Sequence, residues 1–562
     1  MLTLLKQHRG FFVVFGLASV LFLSDIWIYK EFVRAESYFA LGARLMIEQG
    51  DWITPHAPDE LPLNKPPLTY WLIAVSYKIF GTNYGSARIP SVLAALIVLA
   101  IVYSLGRRLS GQRAALIAIA MLASSYLFLS FARMAMSDML LTLFVTASLA
   151  CFVSVLTGEA GSTVLVLAGY ATLALGVLAK GPLAIVLVAT PLGLELLLRR
   201  KRDLLRDLRI LPGAILFLVI TAPYFLFVYA RSGAAPLRFF FFGENLQRFT
   251  GQIYGASGRP FWNEMVSFFS DFLPWSLLIF SAIWFHWRRR GESRSLRLRP
   301  LFLWLATTLV LFSISSFKLD YYLLPAMPAA ALIIAPVLAN AEHLPRWMRR
   351  ILELFLALFA LGIIGAAALS LKAAALLGTT SALRFLPLVA ALLGTGALLI
   401  FLARRRLFFA ALVLAGTIGG TILTMQLILL PAFVRFLPAT QLAANVPVGS
   451  TVYTSSQASD WANCLAFNLA APRRVERLSG DNDNSRLLFA LQRDPKSVAV
   501  VRDSEYANLL AQDPLLRIVA QADTFGHGGL SLKLVRDPRR ERLVLIGHSV
   551  SLKVISTAAL TR

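Results

Sequence analysis

The sequence predicts a polytopic α-helical membrane protein, of about 13 spans, that ends in an extracytoplasmic α/β domain. Three observations carry this reading. Of the 562 residues, 57% are hydrophobic and only 15% are charged, whereas a soluble chain carries about 25% charge. The apolar residues gather in runs of about 20, the length that crosses a bilayer. After about residue 431 the pattern changes to short β-rich stretches alternating with amphipathic ones.

In chain order, the apolar runs fall near residues 11–30, 86–106, 114–132, 138–157, 163–179, 181–198 and 210–230, then 262–287, 300–317, 320–340, 350–371, 383–403 and 407–430. MLTLLKQHRG before the first run resembles a signal peptide. No small-residue cleavage site follows and the run continues through Ile26, Trp27 and Tyr29, so an uncleaved anchor is expected. PPLTYWLIAVSYKIFG (66–81) is too short to span and carries Lys78, which suits an interfacial helix.

The net charge of +24 is no sign of nucleic acid, because the basic residues cluster between the apolar runs. KQHR precedes the first run. Arg107, Arg108 and Arg113, then RRKRDLLRDLR (199–209), RRRGESRSLRLR (288–299), RWMRR (346–350) and RRR (404–406) each follow an even-numbered one. Basic loops stay cytoplasmic. A cytoplasmic N-terminus then satisfies every cluster and leaves the 31–85 loop and everything after about 431 outside.

Two domains are therefore expected: residues 1–431 in the membrane and 432–562 as an extracytoplasmic α/β unit. In the latter TVYTSS, SVAVVRD, LRIVAQA, LSLKLVR and RLVLIGH read as strands, with helices near 458–470, 484–493 and 504–511. The two cysteines, Cys151 and Cys464, cannot build a disulfide framework. GHSVS (547–551) lacks the last glycine of a nucleophile elbow. No P-loop, GxGxxG, HExxH or CxxC occurs, and the six histidines have no metal-ligand spacing.

The polar residues left on the outer side attract attention. Glu36 opens an amphipathic segment, where a carboxylate suits a helix N-terminus, and capping alone would explain it. Asp138 follows FARMAMSD at the start of another run and has the same plain explanation. Lys65, stiffened by the two prolines of NKPP, suits a fixed cation facing an anion or a lysine reaching lipid headgroups. Lys180 breaks LGVLAKGPLAIVL at a Gly-Pro step, where a junctional charge suggests function. In GENLQRF, Glu244 and Arg248 are four apart and would pair on one helical face. FKLDYYLLP supplies Lys318, Asp320, Tyr321 and Tyr322, the last reading as a plain aromatic belt. Carboxylates and cations at one depth and on one face would suit a lipid-linked phosphate, with cations for the phosphate and carboxylates for a hydroxyl or a divalent cation.

AESYFALGARLMIEQGDWITP, LPLNKPPLTYWL, ARMAMSDMLLTLF, LAKGPLAIVL, FFGENLQRFTG, RPFWNEMVSFFSDFLPW and KLDYYLLPAMPA stand in an order that resembles bacterial GT-C glycosyltransferases. The resemblance is closest to the aminoarabinose transferases that modify lipid A and to their protein-mannosyltransferase-like relatives, and it covers about residues 1–340. It implies an inverting transfer of a sugar from a polyprenyl-phosphate donor to lipid A, a glycan or a protein, at the periplasmic face of the inner membrane. By the same resemblance, Glu36 or Asp138 would be the acidic catalyst. Lys65, Lys180 and Arg248 would hold the donor phosphate, and Glu244, Lys318 and Tyr321 would contact substrate. The family's Asp-Glu pair is here Ala35-Glu36, Asn64 stands where a glutamate often precedes the lysine, and Asn245 stands where a histidine is common. The missing aspartate leaves three readings: Glu36 is the base, the acceptor is an already anionic phosphate, or the chain is impaired. Competing functions are a transporter or flippase of lipid-linked sugars and a scaffold or sensor. The former would need internal repeats and midplane charges that the sequence lacks.

Overall fold

The computed structural model describes residues 8–54, 65–158, 162–199, 206–253, 258–289, 293–469, 475–478, 483–494, 496–524 and 541–548. Every expected apolar run is helical. Among the described residues nine helices are long and apolar enough to cross a membrane. Two bent pairs bring the number to eleven when each is one span: Gln112–Ser124 with Tyr126–Ala132, bent by 70°, and Asn263–Asp271 with Trp275–Arg288, bent by 108°. The two remaining runs fall short on length. Arg9–Leu23 has 15 residues and Leu183–Arg199 has 17, which at about 1.5 Å per residue is less than the ~30 Å apolar thickness of a bilayer. The stretch expected to be interfacial forms Leu68–Phe80, at 13 residues also too short to cross.

Burial separates centre from periphery. The windows in Tyr84–Ser110, Ser137–Leu156 and Tyr321–Ala339 are 67%, 83% and 89% buried, against 17% in Ile210–Ser232 and 22% in Arg346–Leu376. The central MPAAALIIAPVLA helix is rich in alanine, and such small side chains let helices approach closely within a bilayer. Outer helices keep leucines such as Leu211 and Leu393 exposed, as a lipid-facing surface requires.

The C-terminal layer is a five-stranded sheet: β1 (Val452–Thr454), β2 (Val475–Arg477), β3 (Val498–Arg502), β4 (Leu516–Thr524) and β5 (Glu541–His548) in the order β2-β1-β3-β5-β4. The first three run parallel and β5 pairs antiparallel with both β3 and β4. Four of these strands match the expected ones. β2 is additional, being three residues flanked by too little apolar sequence to signal a strand. LSLKLVR (530–536) lies outside the described residues. Helices Ala462–Asn468, Asp483–Arg493 and Asp503–Gln512 match the expected helical stretches.

This layer is bound to the segment that follows the first helix and to the start of Tyr84–Ser110. Arg44 donates to the Phe467 carbonyl at 2.5 Å, the Tyr84 hydroxyl meets Asn468 Oδ1 at 2.8 Å, and Cys464 Sγ donates to the Phe32 carbonyl at 2.9 Å. Glu31 is buried at this junction, where Thr440 donates to the Lys30 carbonyl at 2.8 Å. Its Oε1 has no hydrogen-bond partner among the described residues. Burial pushes the Glu31 carboxyl up to about 8, against a modest opposing hydrogen bond from the Ala439 backbone.

The sign of the resulting pH dependence follows from linkage. Between the ordinary carboxyl range and about 8 the folded chain keeps a proton on Glu31 that the unfolded chain has released, so stability falls as pH rises through that window. Melting temperatures of the purified protein at pH 5, 6, 7 and 8 should therefore decline, and Glu31→Gln should remove this part of the decline. An identical slope in the variant would show that Glu31 does not titrate there.

Candidate active site

Ser137–Leu156 and Thr163–Lys180 are antiparallel neighbours, so Asp138 at the start of one lies beside Lys180 at the end of the other. Lys180 Nζ donates to Asp138 Oδ1. The helix stops at Lys180 because Gly181 has φ +103°, a left-handed geometry natural to glycine. A Cβ on Gly181 would come within 2.8 Å of Phe240. Phe240 belongs to the π-wound segment Phe239–Gln247. Such wide turns are rare and often mark functional sites. Here the segment delivers Glu244, which is 5% exposed, to two cations at once. Lys65 Nζ donates to Glu244 Oε2 at 2.8 Å and Arg248 Nη1 donates to the same oxygen at 2.9 Å.

These two ion-paired groups share one cavity of about 350 Å³. Lys65, Asp138, Lys180, Glu244, Arg248 and Tyr321 all line it. Aromatic rings complete its walls: Lys180 Nζ stands 5.7 Å and 5.5 Å from the ring centres of Tyr321 and Tyr322, and the Arg248 guanidinium stands 4.5 Å from that of Phe317. From Arg34–Gln49 come Ala35, Tyr38 and Phe39, three residues on one helical face. Burial, reinforced by the charges of Arg248 and Lys180, draws the Lys65 ammonium below the usual lysine range, with Glu244 opposing. For Arg248 burial also pulls downward, but Tyr322 and Glu244 outweigh it and the guanidinium is held above its ordinary value.

Two expected site residues lie elsewhere. Glu36 turns away from the cavity and is 1% exposed. Its carboxylate accepts from Arg88 at 3.1 and 3.3 Å, from the Ala135 backbone at 2.9 Å and from the Val33 backbone at 3.2 Å. With its lone pairs so engaged, and one residue away from the cavity-facing Ala35 on a helix, it does not line this cavity. Lys318 is also buried and donates to the carbonyls of Ser313 and Ser315. Those carbonyls lie at the end of Ser293–Ile314, where helix acceptors lack internal partners, and the lysine satisfies them. The Asp320 side chain lies outside the described residues.

Sequence reasoning passed over Arg88, Tyr38 and Tyr70 and misjudged Tyr322. Arg88 could have been found: it is a lone charge inside an apolar run, a position that demands a partner. Tyr322 reads as an aromatic belt and instead lines the cavity. Among the described residues no three His, Cys, Asp or Glu side chains gather as metal ligands. Asp138 Oδ1 and Glu244 Oε2 already hold cationic partners.

Fold and cavity together define a polytopic helical membrane protein with a charged and aromatic cavity where several helix ends meet. The family model for dolichyl-phosphate-mannose-protein mannosyltransferase matches residues 64–227. An uncharacterized protein of Aquifex aeolicus is 31% identical over 339 residues, 60% of this chain and 65% of that protein. The undecaprenyl phosphate-alpha-4-amino-4-deoxy-L-arabinose arabinosyl transferase of Pseudomonas paraeruginosa is 34% identical over 364 residues, 62% of this chain and 63% of that enzyme. The chain thus spans slightly less than two thirds of the length of these relatives. The crystal structure of ArnT from Cupriavidus metallidurans bound to undecaprenyl phosphate shares the fold, with a TM-score of 0.71, 22% identity, and coverage of 95% of this chain and 98% of that one.

The Glu36–Arg88 pair gives a clear expectation. Removing one member of a buried ion pair costs about 3–5 kcal/mol, because the other is left charged and unpaired. Glu36→Ala should lower the melting temperature and yield of the purified protein, whereas the double variant Glu36→Gln with Arg88→Met should regain much of both. If Glu36→Ala keeps wild-type stability and loses only activity, the carboxylate acts in the cavity rather than in the fold.

Proposed function

We propose that this chain is an inverting glycosyltransferase that moves a sugar from a polyprenyl-phosphate donor to lipid A, at the periplasmic face of a bacterial inner membrane. The observation that carries this is the convergence of Lys65, Lys180 and Arg248 with two carboxylates in one cavity at the helix ends. Its support beyond this chain is the likeness to aminoarabinose transferases and to ArnT, a structure of which holds undecaprenyl phosphate. The relatives' names point to 4-amino-4-deoxy-L-arabinose as the sugar, a pentose derivative rather than a hexose. The positive-inside pattern orients the chain with a cytoplasmic N-terminus and residues 432–562 as a periplasmic domain.

In this reading the lipid tail stays among the outer helices while its phosphate enters the cavity. The acceptor oxygen forms a bond to the anomeric carbon from the face opposite the phosphate, and the bond from that carbon to the phosphate oxygen breaks. Its electron pair leaves with the polyprenyl phosphate, whose growing charge meets Lys65 and Arg248. Both are already fixed by Glu244, so little reorganisation accompanies the step. An acceptor hydroxyl would pass its proton to Asp138, which Lys180 holds in place by donating to its Oδ1. An ionised phosphate would have no proton to give. Tyr321 and Tyr322 would pack against the sugar ring.

Removal of a preorganised charged donor of this kind typically costs about 100-fold or more in rate. Cells lacking the protein, complemented with wild type, Asp138→Asn, Lys65→Met or Arg248→Met, should show the added sugar mass on lipid A with wild type alone. The mass increment also separates an aminopentose from a hexose. Restoration by all three variants would remove the cavity from the chemistry, and an unchanged lipid A and glycan profile in the deletion strain would overturn the transferase reading.

A further inference from the structure

Most cations in and near the cavity are matched by a carboxylate, and Lys318 is instead held by backbone carbonyls. Arg44, Lys65, Arg88, Lys180 and Arg248 each hold a carboxylate: Glu48, Glu244, Glu36, Asp138 and Glu244 respectively. Arg477, at the end of β2, does not. It is half-buried, and among the described residues it makes no ion pair. Its Nη1 donates to the Tyr38 hydroxyl at 3.3 Å and its guanidinium stands 5.7 Å from the centre of the same ring. Tyr38 in turn lines the cavity, on the helical face it shares with Ala35. A neutral phenol satisfies one of the five N–H groups of an arginine and none of its charge. A half-buried guanidinium with no counter-ion is an unfavourable arrangement for a resting protein and a favourable one for an incoming anion.

We propose that Arg477 and Tyr38 form an anion subsite for the acceptor at the edge of the cavity, where Tyr38 lines the cavity and Arg477 of the C-terminal layer stands against it. The proposal rests on the transferase reading above and adds to it a role for the C-terminal layer. The two cavity carboxylates and three cavity cations are already paired with one another and serve the donor phosphate. Arg477 stands apart from them, on β2, and would meet the opposite reactant beside Tyr38. The side chain at position 35 is a bare methyl group, which leaves room beside Tyr38 for an acceptor group to approach. The recognised chemistry is an anionic oxygen group, phosphate or carboxylate, that a guanidinium fork can grip through two N–H groups.

The test uses the full-length protein in nanodiscs with an undecaprenyl-phosphate sugar donor. Three acceptors are compared: bisphosphorylated lipid A, the same lipid with its phosphates removed, and dephosphorylated lipid A that keeps its acidic inner sugars. Losing one charged hydrogen-bonded contact corresponds to about a tenfold change in affinity. Arg477→Gln should raise KM for the anionic acceptor by about tenfold while kcat and the KM for donor hold. Arg477→Lys should recover part of the loss, and Tyr38→Phe should fall between. The acceptor whose advantage disappears in Arg477→Gln identifies the anion as phosphate or carboxylate. An unchanged acceptor KM in folded Arg477→Gln overturns the proposal. If Arg477→Gln does not fold, equal wild-type affinity for charged and uncharged lipid A overturns it instead. If the wild type transfers nothing, direct binding of the three lipids to wild type and Arg477→Gln still decides this subsite, while the transferase reading alone fails.

Discussion

One buried ion pair organises the walls of the cavity. All five N–H groups of Arg88 are engaged: Nε and one Nη2 hydrogen reach Glu36, the other Nη2 hydrogen reaches the Glu31 carbonyl, and Nη1 reaches the carbonyls of Ile26 and Tyr29. Glu36 completes the network by accepting from Ala135 and Val33. A charge at this depth is tolerable only with such full satisfaction. The geometric result is that three chain segments meet at one point: the link after the first helix, the start of Arg34–Gln49, and the loop three residues before Asp138. Ala35 and Tyr38 on one wall and Asp138 on another are therefore held by the same guanidinium.

The remaining walls depend on local backbone choices of comparable specificity. The left-handed turn at Gly181 ends a span at Lys180 and lets Phe240 lie against the glycine. The π-wound turn then aims Glu244 between Lys65 and Arg248. Each of Lys65, Lys180 and Arg248 is thus oriented by a carboxylate already in place. Aromatic rings fill the spaces between charges, which keeps the site drier and its electrostatics stronger.

The membrane part was legible because a bilayer imposes a length and a polarity on every span. The thirteen apolar runs correspond to the helices, and the two departures, Arg9–Leu23 and Leu183–Arg199, concern length alone. Lys65, Asp138, Lys180, Glu244, Arg248 and Tyr321 stood out as polar groups at helix ends, and the fold brings these six together. Glu36 and Lys318 stood out for the same reason but are spent on Arg88 and on helix-end carbonyls. Sequence spacing cannot tell a carboxylate that faces a substrate from one that faces an arginine 52 residues away. The same limit hid Arg477, whose meaning arises from a contact with Tyr38 across 439 residues.

The alanine at position 35 takes on meaning from these placements. A hydroxyl acceptor needs a base, because its own pKa lies far above neutral. With Glu36 consumed by Arg88, the cavity offers Asp138 and Glu244, and Glu244 is shared by two cations that any donor phosphate would require. In the proposed reading Asp138 is then the carboxylate left to take a proton, and its Oδ1 already accepts from Lys180. In the same reading, a site whose carboxylates are both held by cations favours an incoming anion over a further carboxylate of its own. It suits an acceptor oxygen that arrives already ionised, for which the missing aspartate would be a source of repulsion and not of catalysis. On this argument Ala35 and Arg477 are two expressions of one demand: the first removes a negative charge from the acceptor's path and the second supplies a positive one.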